Sequence, residues 1–376
     1  MVELGHAGDR SDRPVQGGDN MAINVGLDIG TSAVRAAVVQ TGKGVPVLQR
    51  YGQVALPEGA VVAGEIVEEA IVRDALTQLW KTAKLPKKRV VVGIANQRVI
   101  VRRVDLPYMA EDELAQALPF QAQEYIPIPI DEAILDFVPL EEFATPNGEP
   151  MLSVLVVAAH KDMAADVLRV VGSAGIKVMA IDLQAFALTR SVLGADFDLD
   201  SATQAIINIG GGLTQVILMR AGTIRFLRIL TMGGATFTEA LAERMPMEPE
   251  QAEQYKRRTG VAIDGVPEGA EGEALAKMIL TEEADVLIEE IRGSVDYYLG
   301  QSGGDGLERL FVAGNGARLP NLANRLGRSL GVGVEPVRVL DEEKMRVGKL
   351  GLSDVELAQA QPVLPVPVGL AMWGEL

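Results

Sequence analysis

The sequence predicts an α/β fold made of two related lobes around a cleft, and three observations support this prediction. A unit of apolar strand, glycine turn and apolar strand occurs twice, at residues 23–39 and 205–222. Helical apolar spacing alternates with short apolar strands along the chain, which favours α/β layers. The apolar content of 48% with only 4% aromatic residues is typical of a packed core of small aliphatic residues. Because the two units resemble each other, we expect a duplicated architecture whose turns face each other.

In the first unit, one carboxylate precedes a turn of small and hydroxyl residues. Asp28 ends the first strand, and Gly30, Thr31 and Ser32 form the turn. Glycine gives the backbone freedom there, while hydroxyls and unpaired amides suit an anion over the turn. A plain hairpin is the alternative, because many hairpins turn on such residues. The repetition of the unit favours the anion-binding interpretation.

The second unit and a late strand also end in glycine turns. The turn of the second unit contains Asn208, Gly210, Gly211, Gly212 and Thr214. The turn after the late strand contains Gly314, Asn315 and Gly316. Backbone amides of such turns can receive a ligand at the mouth of a sheet. We therefore expect one anion to be contacted from both halves of the chain.

Composition excludes several classes of function. The net charge of −16 and a pI of about 4.7 oppose binding to nucleic acid and to anionic lipid. The chain has no cysteine and two histidines, His6 and His160, so a zinc site of the usual kind is not expected. No apolar run approaches the roughly 18–20 residues of a membrane helix, and no signal peptide is recognised. We expect a cytoplasmic chain without direct membrane insertion.

The elements can be assigned in order from periodicity and turn residues. Residues 1–20 are expected to be a disordered leader, and three strands, a helix over residues 65–83 and a fourth strand follow. A small inserted α+β subdomain is expected over residues 98–177. It contains an acidic helix at 110–125, which Pro119 disturbs, and a proline-rich edge or linker at 125–131.

Taken together, the two hairpin turns, a helical stretch over residues 236–300 and the late glycine turn resemble the actin-like fold of sugar kinases and Hsp70. This RNase H-like duplicated ATPase fold has two lobes around a nucleotide cleft. The resemblance covers about residues 21–376. It implies that the three turns correspond to the phosphate 1, phosphate 2 and adenosine motifs, and that ATP is the ligand.

Within that superfamily, residues 104–109 and 124–137 resemble the PilM family of type IV pilus machines. The Glu-Tyr-Ile-Pro at Glu124, followed by the Leu-Asp-aromatic strand at Asp136, carries this resemblance. It implies an inserted 1C subdomain of the FtsA and PilM type. FtsA, a cell-division protein that ends in an amphipathic membrane-targeting helix, is the nearest alternative. Residues 367–376 lack the basic amphipathic pattern of such a helix.

The resemblance also implies a division into subdomains. Residues 21–97, 178–199 and about 345–376 would form subdomain 1A, and residues 98–177 would form 1C. Subdomain 2A would comprise residues 200–235 and 306–344. Residues 236–305 would form 2B.

The resemblance further implies roles for individual residues. Asp28 and Asn208 would face Mg²⁺ through water, and the nucleotide contacts would come from Gly30, Thr31, Ser32, Gly210, Gly211, Gly212, Thr214, Glu253, Lys256, Gly314, Asn315 and Gly316. If the resemblance is set aside, a solvent-exposed i,i+3 ion pair is an equally good interpretation of Glu253 and Lys256 as a nucleoside contact. Asn208 replaces the usual Asp, and Gln184 would position a water without deprotonating it. We therefore expect ATP binding with weak or absent hydrolysis.

These roles imply a cytoplasmic, ATP-binding scaffold of the type IV pilus inner-membrane platform. Its partner would be the N-terminal cytoplasmic tail of a bitopic membrane protein of the PilN type, bound in a groove between subdomains 1A and 1C. The pilus motor ATPase or the platform protein are further candidate partners. The alternatives are an FtsA-like cell-division filament protein and a small-metabolite kinase of the same superfamily.

Overall fold

A computed structural model describes residues 22–192, 202–268, 271–302, 306–341 and 343–374. These residues form two compact units. The first unit comprises residues 22–192 together with 339–356 and 364–374, and the second comprises residues 202–338 together with 357–363. The leader expected at residues 1–20 lies outside the described residues. The division into four subdomains stays a prediction.

The strands and helices of the described residues are numbered in chain order. The strands are β1 Ala22–Ile29, β2 Ala33–Thr41, β3 Val47–Ala55, β4 Val61–Val62, β5 Glu65–Ile66, β6 Val90–Ile94, β7 Ile100–Pro107, β8 Ala133–Ala144, β9 Pro150–His160, β10 Val178–Leu183, β11 Thr203–Ile209, β12 Thr214–Arg220, β13 Thr223–Leu230, β14 Leu307–Ala313, β15 Val334–Pro336 and β16 Arg346–Val347. The helices are α1 Glu69–Thr82, α2 Glu111–Gln121, α3 Lys161–Ser173, α4 Gln184–Val192, α5 Gly234–Arg244, α6 Pro249–Thr259, α7 Gly272–Gln301, α8 Leu322–Leu330, α9 Asp354–Ala360 and α10 Pro365–Ala371.

The main sheet of the first unit has the strand order β10-β6-β1-β2-β3-β16. Strands β1, β2 and β3 pair antiparallel, whereas β6 and β10 run parallel to β1. Both β1 and β2 are almost continuously buried, as expected for central strands covered on both faces. On one face, α10 approaches so closely that a Cβ at Gly26 would lie 2.6 Å from the Ala371 nitrogen.

The sheet of the second unit repeats this topology. Its order is β13-β12-β11-β14-β15, with β11, β12 and β13 antiparallel and β14 and β15 parallel. The two hairpins, β1-β2 and β11-β12, therefore hold equivalent places in the two sheets. Helices α5, α6 and α7 cover the second sheet around a core that includes Phe237, Leu280 and Leu287. The predicted duplication is confirmed.

The inserted element of the first unit is a three-stranded sheet of order β7-β9-β8. Helix α2 packs on it through Leu114 and Leu118, which share one core with Phe137 and Val154. Pro119 lies inside α2 and does not end the helix.

The structure differs from the sequence prediction at the start of the first long helix, and at residues 125–131 it decides between the predicted edge strand and the predicted linker. The first long helix begins at Glu69 and not at residue 65, because Glu65 and Ile66 pair with β4 in a short hairpin. Residues 125–131 form no edge strand. Ile126 and Ile128 are buried in the core under α2, and a short 3₁₀ helix follows at Ile130–Glu132. The alternating prolines thus shape a packed connection.

None of the helices in the described ranges is long and apolar enough to span a bilayer. The longest, α7, has 30 residues. It carries charged side chains along its length, and its buried residues face the core of the second unit.

Candidate functional site

The hairpin between β1 and β2 forms the first glycine turn. The Gly30 amide donates to the Ala33 carbonyl oxygen at 3.0 Å, and the Leu56 amide donates to the Ser32 carbonyl oxygen at 2.9 Å. Thr31 is half-buried and Ser32 is exposed. The turn thus has a fixed backbone and presents two hydroxyl side chains at its tip.

A buried charge cluster stands behind this turn. Asp28 and Arg35 are cross-strand partners, 6% and 7% exposed. Arg35 Nη1 lies 3.4 Å from Asp28 Oδ2, and Gln184 Nε2 donates to Asp28 Oδ1 at 2.8 Å. Because an ionised carboxylate only accepts hydrogen bonds, Gln184 must present its amide nitrogen here. The structure therefore joins Asp28 and Gln184, which the sequence places 156 positions apart.

Burial raises the pKa of the Asp28 carboxyl above its ordinary value, although the charge of Arg35 and its hydrogen bond act in the opposite direction. The ionised form is therefore less favourable in the fold than in water. A cation close to Asp28 would reverse this effect, since opposite charge favours the carboxylate. The position suits a group that contributes to metal binding.

Arg35 is a site residue that the sequence interpretation missed. Its Nε is buried and has no acceptor among the residues that the structure describes. A buried guanidinium with a free donor is unfavourable unless an anion supplies the acceptor. The signal in the sequence was a lone charge in the apolar run of β2.

The second glycine turn, between β11 and β12, is supported by the start of α5. The Gly210 amide donates to the Leu213 carbonyl oxygen at 2.8 Å. The Gly234 and Ala235 amides donate in turn to the carbonyl oxygens of Gly210 and Gly211, at 2.9 and 2.7 Å. These bonds occupy carbonyl groups of the turn and fix its shape without any charged side chain.

Thr214 has a different role from the predicted one. It is fully buried, and its hydroxyl donates to the Met232 carbonyl oxygen at 2.8 Å. The side chain therefore supports the turn from below and presents no hydroxyl to a ligand. Gly212 is half-buried in the turn itself.

The late turn after β14 lies directly beside the second turn. Gly314 has φ +86°, and a Cβ there would lie 2.7 Å from Asn208 Oδ1. A Cβ at Gly316 would lie 2.8 Å from the Gly210 carbonyl oxygen. Only glycine permits this approach of two backbones. Asn208, the second turn and the late turn thus lie together in the second unit, with Asn315 exposed between the two glycines.

Glu253 and Lys256 on α6 connect to the same region. Lys256 Nζ donates to the Gly234 carbonyl oxygen and to Thr238 Oγ1, both at 2.8 Å, and forms an ion pair with Glu253. These three acceptors match the three N–H donors of an ammonium group. Lys256 is 8% exposed, so the alternative of a solvated pair is wrong for it. Lys256 holds the first turn of α5 in place.

Glu253 is held by several donors at once. Burial by itself raises the pKa of Glu253, but hydrogen bonds from Lys256, Thr238 and Arg257 outweigh it and lower the pKa to about 2. The carboxylate therefore stays ionised at all ordinary pH values. It neutralises Lys256 beneath the start of α5.

Within the described ranges, no cluster of three or more His, Asp or Glu side chains could hold a metal ion. Asp28 provides one carboxylate, and Asn208 provides an amide that can bind only through its oxygen or through water. Mg²⁺ prefers six oxygen ligands and often takes them from water and substrate phosphates. A magnesium ion beside Asp28 would therefore depend on water and on a bound phosphate group for most of its ligands.

Comparison with known proteins identifies one family across the chain. The family model described as "Type IV pilus assembly protein PilM" matches residues 26–375. The fold is also similar to a solved PilM-PilN type IV pilus biogenesis complex, with a TM-score of 0.80, 28% identity and coverage of 93% of this chain and 97% of the other.

Two further proteins are more distant. The cell division protein FtsA of Bacillus subtilis is 24% identical over 265 residues, which are 65% of this chain and 59% of FtsA. The chain thus matches about three-fifths of the length of that relative. The ethanolamine utilization protein EutJ of Carboxydothermus hydrogenoformans has a TM-score of 0.51 at 16% identity, with coverage of 94% and 90%. Together with the repeated sheets, these likenesses confirm the predicted actin-like α/β fold.

Proposed function

Because the chain belongs to the family of type IV pilus assembly protein PilM, we propose that it is a scaffold of the pilus assembly platform. Its partner is the N-terminal cytoplasmic tail of a PilN-type membrane protein. The observation that carries this proposal is the likeness to the solved PilM-PilN complex along nearly the whole of both chains. Through that partner the chain is held at the inner face of the cytoplasmic membrane.

The first unit offers apolar anchor points for an extended peptide. Val62, Val67 and Ile71, in the short β4-β5 hairpin and at the start of α1, are 51%, 57% and 38% exposed. Exposed apolar side chains that lie close together commonly mark a partner surface. A peptide tail recognised by pockets for alternate side chains would bury them.

This part of the unit is tied to the inserted subdomain by ion pairs. Arg98 contacts both Glu65 and Asp162, and Arg169 contacts both Glu69 and Asp166. These pairs connect β5 and α1 to α3. All are solvent-exposed, so each contributes little to stability, but together they fix the relative position of the elements that border the proposed groove.

The proposal extends to ATP as the nucleotide. The residues present fit a phosphate group: Arg35 has a buried unsatisfied donor, Thr31 and Ser32 present hydroxyls at the tip of the first turn, and Gly314 and Gly316 leave no room for a side chain. In the first unit, Thr31, Ser32 and Arg35 bind phosphate oxygens from the turn that Gly30 closes, and Asp28 orients the water shell of Mg²⁺. In the second unit, Gly210 closes the turn, the backbone of Gly211 and Gly212 binds phosphate, and Gly314, Asn315 and Gly316 lie beneath the adenine.

The same residues support weak or absent hydrolysis. Asn208 has no basic oxygen, and Gln184 donates its amide to Asp28 and so holds that carboxylate in place. A positioned general base contributes about 10²- to 10⁴-fold to such a reaction. ATP therefore acts as a bound cofactor of the scaffold.

A capture experiment tests the scaffold proposal. The N-terminal tail of the PilN-type protein from the same genome is immobilised as a synthetic peptide, and the full chain is passed over it with ATP and Mg²⁺. We expect retention on this peptide and none on a scrambled peptide of equal composition. Ile71→Asp should abolish retention, whereas Val286→Asp, at a comparably exposed site on α7, should not. Equal retention on both peptides would refute the proposal.

A further inference from the structure

Helix α2 carries a bulky aromatic side chain that no part of the described chain covers. Phe120 is 79% exposed, the largest exposure among the large hydrophobic residues described, and Tyr125 just beyond the helix is 44% exposed. The helix is otherwise well packed through Leu114 and Leu118, which face the small sheet. A phenyl ring exposed to this extent is available for an aromatic contact with a partner, the kind of contact that often dominates the energy of an interface.

The neighbours of Phe120 on this face follow from helical geometry. Residues three, four and seven apart share a face of an α-helix, so Gln116 and Glu113 lie on the N-terminal side of Phe120, opposite Leu114 and Leu118. Glu124 is exposed in the short 3₁₀ helix Ala122–Glu124 that follows α2 directly. One carboxylate therefore shares the face of the ring, and a second follows just beyond the end of the helix.

The charge around this face is uncompensated. The stretch from residue 105 to residue 160 contains no Lys or Arg, and its acidic residues are Asp105, Glu111, Asp112, Glu113, Glu124, Asp131, Glu132, Asp136, Glu141, Glu142 and Glu149. Arg103, just before this stretch, pairs with Glu141 on β8. Among the described residues, Asp112, Glu113 and Glu124 form no ion pair. These unpaired carboxylates would attract a cationic partner.

We propose that the outer face of α2 with the 3₁₀ turn after it, defined by Glu113, Gln116 and Phe120 on the helix and Glu124 in the turn, binds a short basic segment that carries one aliphatic side chain. The segment is the Lys- and Arg-rich stretch between the bound tail of the membrane partner and its transmembrane helix. Cytoplasmic flanks of membrane helices carry an excess of Lys and Arg, so this segment has the required charge. This inference rests on the proposed function, because it names a second contact of the same partner.

The two kinds of contact have different signatures. The aliphatic side chain against Phe120 supplies desolvated apolar contact, which is the usual source of a binding hot spot. The carboxylates supply long-range attraction that speeds association and weakens with salt. Removal of the ring should therefore affect affinity at every salt concentration, whereas removal of the charges should mainly reduce the salt dependence.

Two synthetic peptides and three variants of the full chain test this. One peptide contains the tail and its basic flank, and in the other each Lys and Arg of the flank is Gln. The variants are Phe120→Ser, the pair Glu113→Gln with Glu124→Gln, and the control pair Glu243→Gln with Glu250→Gln, which removes the same charge from exposed positions of the second unit. Affinities are measured by fluorescence anisotropy at low and high salt.

We expect Phe120→Ser to weaken binding of the basic peptide by about 10-fold at both salt concentrations. The double Glu variant should weaken it about 3- to 10-fold at low salt only, and the control pair should have no such effect. The Gln-substituted peptide should bind the unaltered chain, the double Glu variant and the control pair alike, and only Phe120→Ser should weaken it, because this peptide keeps the aliphatic side chain and lacks the charges. Since the substituted side chains are exposed, thermal unfolding should be unchanged.

Equal binding of the basic peptide to all proteins would overturn the inference and leave the proposed function standing. Failure of both peptides to bind the unaltered chain would overturn the proposed function and the inference together. Sedimentation measures the oligomeric state of the unaltered chain and of Phe120→Ser as a last test. If Phe120→Ser converts a dimer into a monomer, the face belongs to a second copy of this chain and the inference is wrong.

Discussion

The two repeated turns share a topology but differ in how they are built. The first turn is backed by the charged cluster of Asp28, Arg35 and Gln184. The second turn has Asn208 in the place of Asp28 and is shaped by backbone bonds to the start of α5 and by close contact with Gly314. The two turns thus share a backbone path, but only the first turn has charged side chains directly behind it.

The difference between the two turns indicates what each unit can contribute to nucleotide binding. The first half supplies charge, so its contribution should depend on pH and on Mg²⁺. The second half supplies shape, so its contribution should depend on the absence of side chains. Lys256 and Glu253 do add charge to the second unit, but they neutralise each other beneath α5.

The largest effect is expected from Arg35→Met. It leaves Asp28 buried without its cationic partner, so the free energy of unfolding of the first unit should fall by about 3 kcal/mol. Both tryptophans, Trp80 and Trp373, lie in this unit, so their fluorescence follows its unfolding in urea. Arg73→Met, which breaks an exposed pair with Asp74 in the same unit, is the matched control and should lower the free energy of unfolding by at most about 1 kcal/mol. Equal losses would contradict the contrast between the turns.

The next largest effect is expected from Gly314→Ala. The new Cβ would meet Asn208 and the second turn, so the variant should lose about 2 kcal/mol of stability and most of its ATP affinity. Gly331→Ala is the control, because Gly331 also has a positive φ but no atom within 4 Å of its Cβ position. Gly331→Ala should lower the free energy of unfolding by about 1 kcal/mol and leave ATP binding intact. Similar ATP affinity of both variants would show that close contact is not what shapes this turn.

Asp28→Asn is expected to have a smaller effect, and it should raise the stability of the fold where the previous two substitutions lower it. Because the folded pKa is raised, the stabilising protonated form dominates below the ordinary value of 3.8, and its contribution is lost as pH rises through the folded pKa. The variant should therefore gain thermal stability over the unaltered chain as pH rises from about 4 to 7, while the effect of Mg²⁺ on ATP binding is lost. Exposed Asp74→Asn is the control. A difference in Tm that does not change with pH would exclude a raised pKa.

The smallest effect is expected from Glu253→Gln. With a folded pKa of about 2 against an ordinary 4.5, this carboxylate stabilises the fold above pH 4.5, and its contribution is lost as pH falls through 2. The side chain is 35% exposed, so screening limits the loss at neutral pH to about 1 kcal/mol. Denaturation in urea followed by far-UV circular dichroism should show this loss for Glu253→Gln and not for Glu250→Gln. A loss that persists at pH 2 would contradict the assignment.

Much of the fold was predictable because its signals are local. Two apolar strands around a glycine turn can be recognised within about twenty consecutive residues, and this pattern predicted both hairpins and the duplication. For the proline-rich residues 125–131 the sequence left an edge strand and a linker open, because the burial of Ile126 and Ile128 depends on α2 packing above them. Tertiary packing here decided between an edge strand and a packed connection.

The site was only partly predictable for a related reason. Asp28 and the glycine turns could be identified from spacing, whereas Arg35 acquires its role through cross-strand register with Asp28. Lys256 depends on a contact with Gly234, 22 positions away, that no periodicity encodes. The roles proposed for the individual nucleotide contacts stay predictions.

Isothermal titration of the full chain with the N-terminal tail peptide of the PilN-type protein tests the central claim most directly. The account predicts saturable binding with a dissociation constant in the micromolar range or below, and none for the scrambled peptide. No measurable binding at about 100 µM peptide, with ATP and Mg²⁺ present, would contradict it.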